Sequence, residues 1–162
     1  METVIDRLTK SQSVFLATHV NPDGDAIGSL ISLGLGLQQC GKRVYTYNES
    51  PIPAVYRFLP GVRSVKQTMP PTYDWDTAVI LDCGDIERIG TAAESVRGLP
   101  QIINIDHHVT NTAFGQYRLV DSEASSSVEI VYRLLKRMNV AFDKAIATAI
   151  YTGILTDTGS FR

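Results

Sequence analysis

The chain has 162 residues, 44% of them hydrophobic, with 15 basic and 17 acidic side chains for a net charge of −2. That content supports one domain with a hydrophobic core and excludes an intrinsically disordered chain. The near-neutral charge excludes a protein that holds long duplex nucleic acid by charge alone, and leaves room for a small phosphorylated substrate or a very short oligonucleotide.

The opening METVIDRLTK carries acids early and has no apolar stretch, so it does not read as a secretory signal. Val4, Ile5 and Leu8 instead predict a short amphipathic helix. Ser13-Val14-Phe15-Leu16-Ala17-Thr18 predicts a buried strand, and residues 26–39 a helix ended by Gly41. The uncharged run 26–41 falls short of the ~18–20 apolar residues of a membrane span and is broken by Ser29, Ser32, Gln38 and Gln39. A soluble, cytoplasmic protein without a membrane partner is expected.

Residues 43–47 predict the next strand, and Pro51, Pro53, Pro60 and Gly61 bracket a helical turn over 55–59. Residues 67–76, with Pro70-Pro71, read as a surface loop. Strands follow at 77–81 and 102–105. Val128, Val131, Tyr132, Leu135 and Met138 recur at helical spacing, and a last helix is expected over 143–155. Helices alternating with short apolar runs predict an α/β fold, a mainly parallel sheet flanked by helices. Cys40 and Cys83 form no Cys-x-x-Cys pair and read as free thiols.

Chemistry-bearing residues fall at particular places on this frame. The strand 13–18 is followed at once by His19-Val20-Asn21-Pro22-Asp23-Gly24-Asp25, the strand 77–81 by Asp82, and the strand 102–105 by Asp106-His107-His108. In a parallel sheet these ends share the edge where α/β folds bind ligands. The last helix leads into Thr156-Asp157-Thr158-Gly159, which offers a further acid. Crowded carboxylates repel one another unless a cation lies between them. A set rich in carboxylate with imidazole and no thiolate suits Mn²⁺, Mg²⁺ or a related cation better than structural zinc. Two such cations bridged by one carboxylate can activate a water for attack on phosphorus. Gly24 is expected to make a tight turn that aims Asp23 and Asp25 together, and Gly28-Ser29 to open the helix and allow close backbone approach.

Each residue taken alone has a plainer reading. Asp23 or Asp25 can be a helix N-cap, and Asn21 can serve only the turn before Pro22. Asp82 can cap a turn, Asp157 can end a helix, and Asp85 with Arg88 reads as a solvated turn and helix start. Ser125-Ser126-Ser127 reads first as a helix-start cap, with a phosphate contact as its second reading. The coincidence of four clusters on one edge is what outweighs these readings.

His19-Val20-Asn21-Pro22-Asp23-Gly24-Asp25-Ala26-Ile27-Gly28-Ser29, Asp82, Asp106-His107-His108 and Thr156-Asp157-Thr158-Gly159-Ser160-Phe161-Arg162 resemble, in order, the four motifs of the DHH phosphoesterases. The resemblance implies a Rossmann-like DHH domain over 1–162, cut off before the family's second, DHHA1-type substrate domain. It implies two divalent metals, Mn²⁺ foremost, with Mg²⁺ or Co²⁺ as substitutes. His19, Asp23 and Asp82 would hold the first, and Asp25, Asp82, His107 and Asp157 the second. His108 would face the substrate phosphate and Asp106 would orient the histidines. Asn21, Ser125, Ser126 and Arg162 are candidate substrate contacts. Asp-Gly-Asp-Ala-Ile-Gly-Ser and the Ser125-Ser126 helix start look most like the branch that degrades short oligoribonucleotides and dephosphorylates adenosine 3′,5′-bisphosphate. Cyclic-dinucleotide phosphodiesterases and inorganic pyrophosphatases are the neighbouring alternatives. A nucleotide-binding module without turnover is the alternative of another class.

Overall fold

The structure, a computed structural model, describes residues 1–70 and 74–161. Among these, five strands form one sheet: β1 (Ser13–Thr18), β2 (Arg43–Tyr47), β3 (Thr77–Leu81), β4 (Ile102–Asp106) and β5 (Tyr117–Val120). All pair in parallel, in the spatial order β2-β1-β3-β4-β5. The helices are α1 (Glu2–Lys10), α2 (Gly24–Gln39), α3 (Ala92–Arg97), α4 (Ser127–Arg137) and α5 (Lys144–Asp157).

Every residue of β1, β3 and β4 is buried, because both faces of the sheet are covered. The two-residue period of a strand divides the core. Val14, Leu16, Val79, Leu81, Ile103 and Ile105 face Leu30, Leu33 and Leu37 of α2, Val128 and Val131 of α4, and Ile146 of α5. Phe15, Ala17, Ala78, Ile80 and Ile102 pack on the other side with Trp75, Ile89, Ala92 and Val96. Truncating a side chain such as Leu16, which is wholly buried, to alanine costs about 2–5 kcal/mol.

The chain leaves β1 through α2 to reach β2 on one side, then places β3 on the other side of β1. The strand order therefore reverses between β1 and β3, which opens a crevice at their carboxyl ends. His19 and Asp82 are the residues that follow these two strands.

α2 begins at Gly24, two residues before the expected start, so Gly28 and Ser29 lie in its second turn and do not open it. Gly28 still serves close approach: a Cβ there would lie 2.6 Å from the Ala149 carbonyl oxygen of α5. The turn expected over 55–59 is a 3₁₀ turn at Ala54–Tyr56. Part of the expected surface loop, residues 71–73, lies outside the described residues, and its end is not surface. Trp75 is buried, with its ring 5.7 Å from that of Tyr45 and 4.4 Å from the Arg43 guanidinium. β5 and α3 were not expected from the sequence, while the turn and helix start read at Asp85 and Arg88 is the 3₁₀ helix Ile86–Ile89, capped by Asp85. No helix among the described residues is long and apolar enough to cross a membrane.

Candidate metal centre

The loop after β1 turns at Asn21, which takes φ 54°, a left-handed conformation that asparagine tolerates better than most residues. Its N–H donates to Ser50 Oγ at 2.8 Å. Gly24 does not make the turn, contrary to the sequence reading. It is the first residue of α2, and glycine is needed there because a Cβ would lie 2.2 Å from Thr156 Oγ1. Asp23 is the N-cap of α2, accepting the Ala26 N–H at 3.0 Å. Asp25, in the first helical turn, points elsewhere: its two oxygens accept the N–H groups of Ser127 and Val128 at 2.7 and 2.8 Å. Two helix N-termini, those of α2 and α4, thus meet on one buried carboxylate.

Asp82 also has a positive φ, 54°. Its side chain is buried between two groups of residues and divides its oxygens between them. Oδ2 lies 3.5 Å from His19 Nε2, which is itself 3.9 Å from Asp23 Oδ1. Oδ1 lies 3.8 Å from His107 Nε2 and accepts the Ser127 hydroxyl at 2.9 Å. His107 Nε2 is also 3.9 Å from Asp25 Oδ2 and 3.5 Å from Asp157 Oδ2, at the end of α5. His19 donates Nδ1–H to the Val20 carbonyl at 2.9 Å, which leaves Nε2 free as a ligand.

The carboxylate–imidazole separations of 3.5–3.9 Å are too long for good hydrogen bonds and lie at or slightly beyond the edges of a polyhedron with ~2.1 Å metal–ligand bonds, roughly 3.0–3.5 Å. Ligand atoms of His19, Asp23 and Asp82 lie within 4.8 Å of one another, as do those of Asp25, His107 and Asp157, and those of Asp82, His107 and His108. The donor set of carboxylate and imidazole fits a pair of divalent cations that share Asp82.

The charges are poorly balanced without cations. Burial, followed by repulsion from Asp82, pushes the Asp25 carboxyl up to about 8 despite its two backbone donors. Burial also raises Asp157, against attraction to His107 and with added repulsion from Asp82 and Asp23. Burial opposes ionisation of Asp82, but His19, Ser127 and His108 together hold it below the usual carboxylate range. Burial opposes charge on His19, and Asp82, the Val20 carbonyl and Asp23 together raise it.

Of the two histidines, His108 is the one hydrogen-bonded to Asp106. Asp106 Oδ1 accepts His108 Nδ1–H at 2.7 Å. The ring of His107 stands 4.6 Å from that of His108 by centroids. Asp106 Oδ2 accepts from Asn111 Nδ2 at 2.6 Å. The Ser125-Ser126 pair serves the helix start: Ser126, wholly buried, caps α4 by accepting the Glu129 N–H at 3.3 Å, and the Ser125 hydroxyl donates to Glu129 Oε2 at 2.8 Å. Arg162 lies outside the described residues. Asn104 and Asn111 were missed by the sequence reading, and Ser127 was read only within the helix-start run, not as a donor to Asp82. A lone amide inside the apolar strand 102–105, and a third serine beyond the one a cap requires, were the available signals.

A family model described as the DHH family, N-terminal domain, matches residues 13–154. The chain is 38% identical over 149 residues to the bifunctional oligoribonuclease and PAP phosphatase NrnA of Thermus thermophilus, a match covering 92% of this chain and 44% of that protein. It is 30% identical over 164 residues to the Bacillus subtilis protein of the same name, covering 98% of this chain and 50% of that one. The chain thus spans about half the length of the curated relatives it matches. Among solved structures, an exopolyphosphatase-related protein from Bacteroides fragilis superposes with a TM-score of 0.88 at 29% identity, covering 99% of this chain and 52% of that one. A match that runs from the strand before His19 into the helix that carries Asp157 shows that this chain belongs to the DHH family and carries that family's N-terminal domain.

Proposed function

We propose that this domain hydrolyses phosphoester bonds of short oligoribonucleotides and of adenosine 3′,5′-bisphosphate, using two divalent cations with Mn²⁺ preferred. The observation that carries this reading is the division of Asp82, whose Oδ2 faces His19 and whose Oδ1 faces His107. One carboxylate shared between two ligand groups is what a cation pair requires. His19, Asp23 and Asp82 would hold one cation; Asp25, Asp82, His107 and Asp157 the other. When bound, the pair supplies an activated water for attack on phosphorus and neutralises charge on the phosphoryl oxygens. Mn²⁺ suits a mixed set of carboxylates and imidazoles, and Mg²⁺ or Co²⁺ would substitute.

The protein's own groups supply orientation. Asp25 is fixed by the first two N–H groups of α4, and Asp82 by the Ser127 hydroxyl. His108, its Nδ1 committed to Asp106, is left with Nε2 to present to the substrate phosphate. The substrate class follows the names of the relatives, and the modest net charge of −2 agrees with substrates of a few nucleotides. Those relatives are about twice as long, and the share of the reaction proposed for this domain is the metal site.

The test is incubation of the chain with a ribodinucleotide, with adenosine 3′,5′-bisphosphate and with bis-nitrophenyl phosphate, each with and without Mn²⁺. Mn²⁺-dependent product that disappears in Asp82→Ala supports the reading. Two bound cations without turnover of any of the three would replace it with a nucleotide-binding role.

A further inference from the structure

We propose that Asn111 is a positioning residue: through Asp106 it sets the orientation in which His108 meets the substrate phosphate. The inference rests on the phosphoesterase reading of the site. Asp106 is wholly buried at the end of β4. One of its oxygens holds His108 Nδ1, and the other accepts from Asn111 Nδ2 at 2.6 Å. A buried carboxylate oxygen without a donor is costly, and one held on a single side is free to turn or to take up a proton.

Asn111 is itself fixed on several sides. Its Oδ1 accepts the Ala113 N–H at 2.7 Å, which determines which end of the amide is the donor. Its Nδ2 also donates to Asn104 Oδ1 at 2.8 Å, and its backbone N–H donates to the His108 carbonyl at 3.1 Å. Asn104, wholly buried in β4, donates to the carbonyls of Ile80 and Cys83 at 3.3 and 3.1 Å. A continuous path of hydrogen bonds therefore runs from the imidazole of His108 to the rigid end of β3, and Asn111 is its central link. The segment 107–116 that carries both residues contains no helix or strand, so the orientation of His108 depends on these side-chain bonds and not on a regular backbone.

A plainer role for Asn111 is to hold the loop turn through Ala113. Asn111→Asp separates the two roles, because it retains the acceptor for the Ala113 N–H and removes the donor to Asp106. Asn111→Ala, which has no group able to donate, is the control for a proton shared between the two carboxylates in Asn111→Asp. In ¹⁵N-histidine-labelled, Mg²⁺-loaded protein, His108 Nδ1–H is expected as a slowly exchanging downfield signal, assigned by its absence from His108→Ala. Asn111→Asp and Asn111→Ala should both lose or broaden it while both bind two metal ions. Should Asn111→Asp fail to fold, the alanine variant decides.

On bis-nitrophenyl phosphate with Mn²⁺, each Asn111 variant should lower kcat about 10–100-fold with KM little changed. The His108→Ala/Asn111→Ala double variant should fall no further than His108→Ala alone. A ring signal unchanged in both Asn111 variants, or losses that multiply in the double variant, would overturn the proposal. If the wild type turns over no phosphoester, the enzymatic reading fails while the ring signal still decides whether Asn111 orients His108.

Discussion

Asp25 Oδ2 accepts the backbone N–H of Ser127 at 2.7 Å, joining the first turn of α2 to the first turn of α4 across the site. The same carboxylate accepts the Val128 N–H, so one side chain satisfies two donors that a helix N-terminus leaves open. Asp25→Ala should destabilise the metal-free fold by about 2–4 kcal/mol, because it strands two buried donors. Asp25→Asn keeps an acceptor and relieves the repulsion with Asp82, so it should retain most of the fold while losing the cation shared with His107. Denaturant unfolding and Mn²⁺ titration of the two variants check this; equal stability losses in both would contradict it.

The same carboxylate makes metal-free stability depend on pH. Its ordinary value of 3.8 rises to about 8 in the folded chain. Between roughly pH 4 and 8 the native state therefore keeps a proton that the unfolded state has released, and stability falls as pH rises through that window. His19 and Asp157, both raised, act in the same direction, His19 above its ordinary 6.5. Cations bind the ionised carboxylate, so the rise in melting temperature on adding Mn²⁺ should grow from pH 6 to pH 8. Thermal melts with chelator and with Mn²⁺ should show the two curves diverging, and Asp25→Asn should flatten the chelator curve. A Mn²⁺ shift that shrinks with pH would contradict the electrostatic account.

Gly28 links packing to the site. A methyl group there would press on the Ala149 carbonyl of α5, a backbone atom that cannot rotate away. Gly28→Ala should cost about 1–3 kcal/mol and push apart α2 and α5, which carry Asp25 and Asp157. Melting temperature and Mn²⁺ affinity should fall together. An unchanged melting temperature would mean that the helices have slack the structure does not show.

His108→Ala should leave two-cation binding intact and reduce phosphoester turnover about a hundredfold or more, since its proposed work is on the phosphate. Steady-state kinetics beside calorimetry separate the two effects. Loss of a cation in this variant would make His108 a ligand.

The features legible in the sequence are those written in local pattern. Strands β1 to β3 were found with their full bounds: β1 and β3 because continuous apolar runs mark strands buried on both faces, and β2 from its β-branched and aromatic residues although it runs from exposed Arg43 to buried Tyr47. The ends of those strands then located His19 and Asp82. β5 escaped because its four residues alternate between half-buried and exposed, carry Arg118, and are defined only by pairing with β4. Long-range contacts stayed hidden. Gly24 answers to Thr156, Ser127 to Asp82 and Asn111 to Asp106. A sequence can show the residue type at such positions, but the neighbour that gives it meaning is brought there only by the fold.

The shared position of Asp82 is the centre of the account, and calorimetric titration of Mn²⁺ tests it most directly. The wild-type chain should bind two ions. Asp82→Ala should weaken both sites, and Asp23→Ala should weaken only the one built with His19. Two-site binding of unaltered affinity in Asp82→Ala would contradict the assignment of a bridged pair.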